Sequence, residues 1–152
     1  MDVTPESLYI EDQSDRETYP EDPHDPKIKE IIQRDNERLN IARELIRSNT
    51  VKDAKDLHFV SFIFQHGNNV EDYAQALKLA MKAVEKGWPP ELSLVPHATD
   101  RLMIQEQLDR GMSIQDTVQH FGTQTYTTEN GIEFKPSLDG TLTDDERKKF
   151  KL

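Results

Sequence analysis

The stretch Leu57-His58-Phe59-Val60-Ser61-Phe62-Ile63-Phe64 is apolar on nearly every side. Eight such residues have to be buried all round, as an inner strand or as a central helix, and the rest of the chain must pack about them. Two signals favour the helix. Thr50-Val51-Lys52-Asp53 has the form of a capping box, with Asp in place of the usual Glu, and Gly67 follows the segment.

Further helices are written around this one. Pro5 suits a first helical position and predicts a helix over about 6–16, with Leu8 and Tyr9 facing inward. Residues 19–26 hold three prolines, which no helix interior tolerates, and read as a linker. Asp25 and Pro26 then open a long helix to about residue 47, in which Ile28, Ile31, Ile32, Leu39, Ala42, Leu45 and Ile46 recur at helical spacing. Asn69 and Asp72 start another, with Tyr73, Leu77, Ala80, Met81 and Val84 on one stripe and Gly87 past its end. Trp88-Pro89-Pro90 is a turn, and a helix over about 93–110 ends at Gly111. Ser113-Ile114-Gln115-Asp116 predicts a short sixth helix ending at Gly122. The period then changes: two runs of β-formers flank Asn130-Gly131, a strong hairpin signal. Thr143-Asp144-Asp145-Glu146 caps a closing helix through Phe150. The expected fold is mainly α, a compact bundle of about six short helices with a C-terminal β-hairpin and a short terminal helix.

Charge divides the chain in two. Residues 1–26 carry nine acids against Arg16 alone, which is −8 of a net −10, so residues 27–152 are nearly neutral. The division reads as an acidic N-terminal arm (1–26, a short helix and a Pro-rich linker) followed by a single helical domain (27–152). A solubilising arm, or an arm that contacts a basic protein partner, both fit. No basic footprint for nucleic acid is visible, and an acidic chain is disfavoured at anionic membrane surfaces. There is no cysteine, which excludes disulfides, thiolate zinc sites and a cysteine nucleophile. No run approaches the ~20 apolar residues of a membrane span, and the first residues lack a basic-then-apolar leader pattern. The expectation is a soluble, cytoplasmic protein.

Four polar clusters stand at the edges of otherwise buried segments: Asp12-Gln13-Ser14-Asp15-Arg16, Gln65-His66, Asp100-Arg101 and Gly122-Thr123-Gln124. Buried polar groups are costly unless they satisfy one another, so four clusters in one small fold predict a shared network or a pocket. His66 sits beside Phe62 on the apolar helix, where a neutral imidazole is a competent general base; a core histidine bonded to a backbone carbonyl is the plainer alternative. Asp100 and Arg101 point about 100° apart, and either a pocket pair or a structural ion pair fits them. Asp12 and Arg16, four apart, can pair on their helix. His24, His58, His66, His97 and His120 show no zinc spacing, and a metal site from His66 with Asp12 or Asp100 is disfavoured. There is no phosphate-binding loop, no dinucleotide fingerprint and no nucleophile elbow, and no cofactor is implied.

The ordered series Asp12-Gln13-x-x-Arg16, Gln65-His66, Asp100-Arg101 and Gly122-Thr123-Gln124 resembles a family of small, mostly bacterial helical proteins without an assigned activity. Its members carry D-Q-x-x-R, Q-H, D-R and Y-G-T-Q in that order, then a hairpin and a terminal D-E-R-x segment. That last segment reads Asp145-Glu146-Arg147-Lys148 here. Phe121 stands in place of the family's tyrosine, and Gln119 matches a glutamine found there. The resemblance implies that the clusters meet in space. On that reading His66, Asp100 and Asp12 are the candidate catalytic groups. Arg101, Arg16, Gln13, Gln65, Thr123 and Gln124 are the candidate ligand-binding groups, taking a small anionic or peptide-like molecule. The competing reading is a non-catalytic protein-interaction module with a structural polar network.

Overall fold

A computed structural model describes residues 3–152. The apolar segment is a helix and the centre of the molecule. Helix α3, Ala54–Gln65, packs against α1 (Pro5–Glu17), α2 (Lys27–Arg47) and α4 (Val70–Glu85), and α4 carries α5 (Val95–Asp109) on its other side. Leu57, Val60, Ile63 and Phe64 of α3 join Leu8, Leu39, Ala42, Ala76, Leu79, Ala83 and Ala98 in one core.

Local chemistry accounts for most boundaries. Thr4 and Ser7 form a reciprocal cap on α1, with Pro5 at the first turn. Asp25 accepts a hydrogen bond from the Lys27 amide at 2.9 Å as α2 begins. Asn69 caps α4 through the Asp72 amide. The cap of α3 differs from expectation: Asp53 alone accepts from the Asp56 amide, while the Thr50 hydroxyl lies against Ser48. Gly67 has to be glycine because a Cβ there would fall 2.3 Å from that of Asp72, so tightly does the α3–α4 turn close.

The acidic segment is not a free tail. Leu8 and Asp12 are buried, and Tyr9 stacks on Phe59 with ring centroids 4.6 Å apart. Ile32, expected on the inner stripe of α2, is exposed, while Arg38 is buried on the face that meets α1. Ile31 and Ile32 project about 100° apart, so only one can face inward, and Ile31 does.

The predicted sixth helix is absent. Residues 114–116 make one 3-10 turn, and the chain then runs extended as β1, Val118–Gln119, in a parallel pairing with Ser137–Leu138. The reason is competition for backbone groups. The Gln107 side chain accepts from the Val118 amide at 3.0 Å and donates to the Val118 carbonyl at 2.8 Å. The expected hairpin is present, with β2 (Tyr126–Thr127) antiparallel to β3 (Glu133–Phe134) and Gly131 at φ +76° in the turn. Ser137–Leu138 is β4, and α6, Asp144–Phe150, closes the chain under a Thr143–Glu146 capping box. The fold is mainly α, with six α-helices among the described residues and short strands near the C-terminus.

Candidate functional site

The expected polar residues divide into two networks, and a cleft opens beside the second of them. The first network lies where α1, α2 and the end of α3 meet. Asp12 is buried; Gln13 donates to it at 3.0 Å, Arg16 reaches it at 3.5 Å, and the Nε2 atom of His66 is 3.2 Å from its Oδ2. Arg16 also pairs with Asp35 at 2.7 Å. Buried Arg38 bridges Asp15 at 2.8 Å and Asp35 at 2.6 Å, and Arg34 adds a fork onto Asp15. Burial works to raise the Asp12 carboxyl, but the adjacent His66 imidazole and the charges of Arg16 and Arg38 outweigh it and hold it below the usual range. Asp15 is held low by the Arg34 hydrogen bond first, and then by Arg38 against some burial. Asp15 has thus found its basic partners inside the chain, on α2.

Satisfaction in this network is incomplete. The Nε2 of His66, the Oε1 of Gln65 and the Nε atoms of Arg16 and Arg38 are buried without an aligned hydrogen bond. His66 and Asp12 are close enough for an ion pair but off the hydrogen-bond line. Nearby, His58 stacks on Trp88 at 4.2 Å, and burial pushes its imidazole down to about 4, so it is neutral at ordinary pH.

The second network is built on the main chain. Asp100 is fully buried. Its Oδ1 accepts from the amides of His120 and Phe121, both at 2.8 Å, and its Oδ2 from the amide and hydroxyl of Thr123, at 2.9 and 2.8 Å. Gly122 at φ +86° turns the loop so that these donors converge. Gln119, also fully buried, accepts from the Gln124 amide and donates to the carbonyls of Gln124 and Pro136. Asp100, Gln107 and Gln119 therefore hold the loops that a helix would otherwise have ordered. Thr123 serves Asp100, and the Gln124 side chain bonds the Thr123 hydroxyl at 3.1 Å.

Arg101 lies between the networks. Its guanidinium sits over the Tyr73 ring, 4.8 Å from the centroid, and the Tyr73 hydroxyl donates to the Gly67 carbonyl at 2.9 Å. Among the described residues no hydrogen bond or ion pair joins His66 to Asp100, Arg101 or Gln124. The structure brings together Asp12, Gln13, Arg16 and His66 in one place, and Asp100, Thr123 and Gln124 in another.

A cleft of about 720 Å³ opens between α4, α5 and α6. Its walls are Leu77, Met81, Val84, Val95, Met103 and Phe150. At one end His120 is clamped by two carboxylates: its Nδ1 is 3.2 Å from both oxygens of Asp139, and its Nε2 is 2.8 Å from Glu146. Burial works to lower the His120 imidazole, but the bonds and charges of Glu146 and Asp139 outweigh it and raise it above its ordinary value. Sequence reasoning read Glu146 only as a cap. It is a cap, through Oε1 to the Thr143 amide, and a histidine partner through Oε2. Nothing local flags His120 or Asp139, which are 19 residues apart and meet only through the β1–β4 pairing.

Among the described residues no helix is long and apolar enough to cross a membrane. No family model, no curated protein and no solved structure matches this chain.

Proposed function

We propose that the chain is a binding protein whose ligand occupies the cleft between α4, α5 and α6. The observation that carries this reading is the cleft itself: about 720 Å³, within the range of small-molecule sites, with apolar walls and a few polar groups at one end. His120 has both ring nitrogens engaged, which suits a strut better than a proton carrier. Two lining charges, Glu85 and Lys149, have no ion pair among the described residues. One charge of each sign suits a molecule with an apolar body and an end that both donates and accepts, as a peptide-like group does. The test is titration with anilinonaphthalene sulfonate and with an N-octanoyl amino acid, followed by fluorescence and calorimetry. Met81→Arg at the exposed rim and Met103→Trp in the wall are expected to weaken both by about tenfold or more. Absence of binding, or binding by both variants as tight as that of the native chain, overturns the reading.

A second reading keeps acid–base chemistry at His66, oriented by Asp12, with Arg16, Gln13 and Gln65 about it. Its support is the buried Nε2 of His66 without an aligned partner, next to the orphaned Oε1 of Gln65. Here p-nitrophenyl acetate should be hydrolysed above the buffer rate by the native chain and by His120→Asn but not by His66→Ala. Equal rates in native chain and His66→Ala end this reading.

A further inference from the structure

A groove of about 340 Å³ runs along the side of α4 away from α5, lined by Lys78, Lys82, Lys86 and Lys52, with Ile46, Val51, Leu57 and Leu79 among its other lining residues. The four lysines are exposed, and none has an ion pair among the described residues. Arg16, Arg34, Arg38 and Arg43 are paired with carboxylates, whereas these four lysines stand together along one groove of a chain whose net charge is −10. Lys78, Lys82 and Lys86 also stand at successive i,i+4 positions, where like charges repel and disfavour the helix. An anion laid along the groove would relieve that repulsion.

We infer that this groove docks an extended, acidic peptide segment of a partner protein. The spacing selects the occupant. Lysines four apart on a helix are about 6 Å apart along its axis, which equals about two residues of extended chain at ~3.3 Å each. Acidic side chains at every second position therefore match the lysines one for one. The alternate positions of such a strand point the other way, and Ile46 and Val51, half-buried on the wall opposite α4, give them apolar contacts. Lys52 approaches from the opposite wall, the α2–α3 connection. A long nucleic acid fits poorly: the lining has no aromatic ring for base stacking and no arginine fork, and the net charge of the chain is acidic. A single small anion fits poorly as well, because the lysines spread over about 12 Å rather than converging. The groove shares Glu85, its one acid, with the ligand cleft, and the four lysines lie outside that cleft.

The probe is acetyl-Glu-Leu-Glu-Leu-Glu-amide, compared with the serine version of the same peptide, with amide resonances followed by NMR. The leucine peptide is expected to shift amides near Val51, Leu57 and Leu79 and along the lysine face of α4. The serine peptide should bind about fivefold more weakly, and Lys78→Gln/Lys82→Gln, at exposed positions, about tenfold more weakly for both. Raising salt should weaken binding, since the pairing charges are exposed. The inference is overturned by any of four results: no shifts, equal affinity of the two peptides, equal affinity of the lysine variant, or tighter binding of polyphosphate or single-stranded RNA than of the leucine peptide. Self-association abolished by the lysine variant would also overturn it, in favour of a second copy as occupant.

Discussion

The two polar networks solve the same problem by different means. At the α1–α2 contact, half-buried carboxylates meet guanidinium groups, side chain against side chain: Asp15 and Asp35 on buried Arg38, and Asp35 on half-buried Arg16. Under the loop of residues 118–124, buried side chains meet main chain: Asp100 takes three amides and a hydroxyl, and Gln107 and Gln119 each replace strand or helix partners for neighbouring backbone groups. The first arrangement fixes how one helix lies on another. The second decides what secondary structure a segment adopts. A charge network can be loosened while the helices survive; a side chain that stands in for the backbone ladder takes the local fold with it.

The largest effect should therefore come from Asp100→Ala. It leaves three buried amides and a hydroxyl without their acceptor and should cost about 4 kcal/mol in urea unfolding. Amide exchange should accelerate first over residues 118–124 and only later in α1. Faster exchange in α1 than in the loop would break the distinction between the regions.

Arg38→Met comes next. It leaves Asp15 to Arg34 and Asp35 to Arg16, each carboxylate losing one of its two cations, and should cost about 1–2 kcal/mol. Exchange should rise in α1 while residues 118–124 stay protected. Arg38→Lys should recover only part, because one ammonium cannot reproduce the two-carboxylate bridge.

The pH dependence should separate the regions by sign. Asp12 and Asp15 titrate below their ordinary value of 3.8 when folded, so their stabilisation is present above about that pH and is lost as pH falls through the folded values. His58 adds to the acid loss: the unfolded chain takes up a proton near 6.5, but the folded chain does so only near 4, so stability falls as pH drops between them. His120 behaves in the opposite way. Its folded value is raised, so its contribution is complete below about 6.5 and disappears as pH rises through that raised value. Above pH 6.5, exchange protection relative to the intrinsic rate at each pH should fall in α6, which holds Glu146, and not in α1. His120→Asn should remove that alkaline component.

Salt should give the smallest effect. Arg34, on the exposed rim of the α1–α2 network, forks onto Asp15, and its contribution should shrink at high ionic strength. The Asp100 loop, whose partners are buried amides, should respond less. Comparing Arg34→Ala with the native chain at two salt concentrations measures the difference.

The helices were legible because their signals are local. Thr4, Asn69 and Thr143 cap within three residues, the 57–64 segment can only be interior, and Asn130-Gly131 makes its own turn. The α1–α2 network was half legible: Asp12 and Arg16 lie four apart, but Asp35 and Arg38 read as ordinary positions of a charged helix until α1 is laid on them. The expected single site around His66 does not form by direct contact, and of the acids of residues 3–26 only Asp12 and Asp15 turn inward from α1 onto the network.

By itself the sequence determined the helical periods, most of the caps, the hairpin turn and the buried centre, because each rests on interactions between residues within a turn or two of one another. Only the tertiary structure decided that residues 117–122 would not be helical, that Asp100 would bind a loop 20 residues away, and that His120 would stand between Asp139 and Glu146. Those outcomes depend on which distant donor reaches a backbone group first in the packed state. A buried side chain with good geometry can outcompete local helix propensity, which is worth only tenths of a kcal/mol per residue.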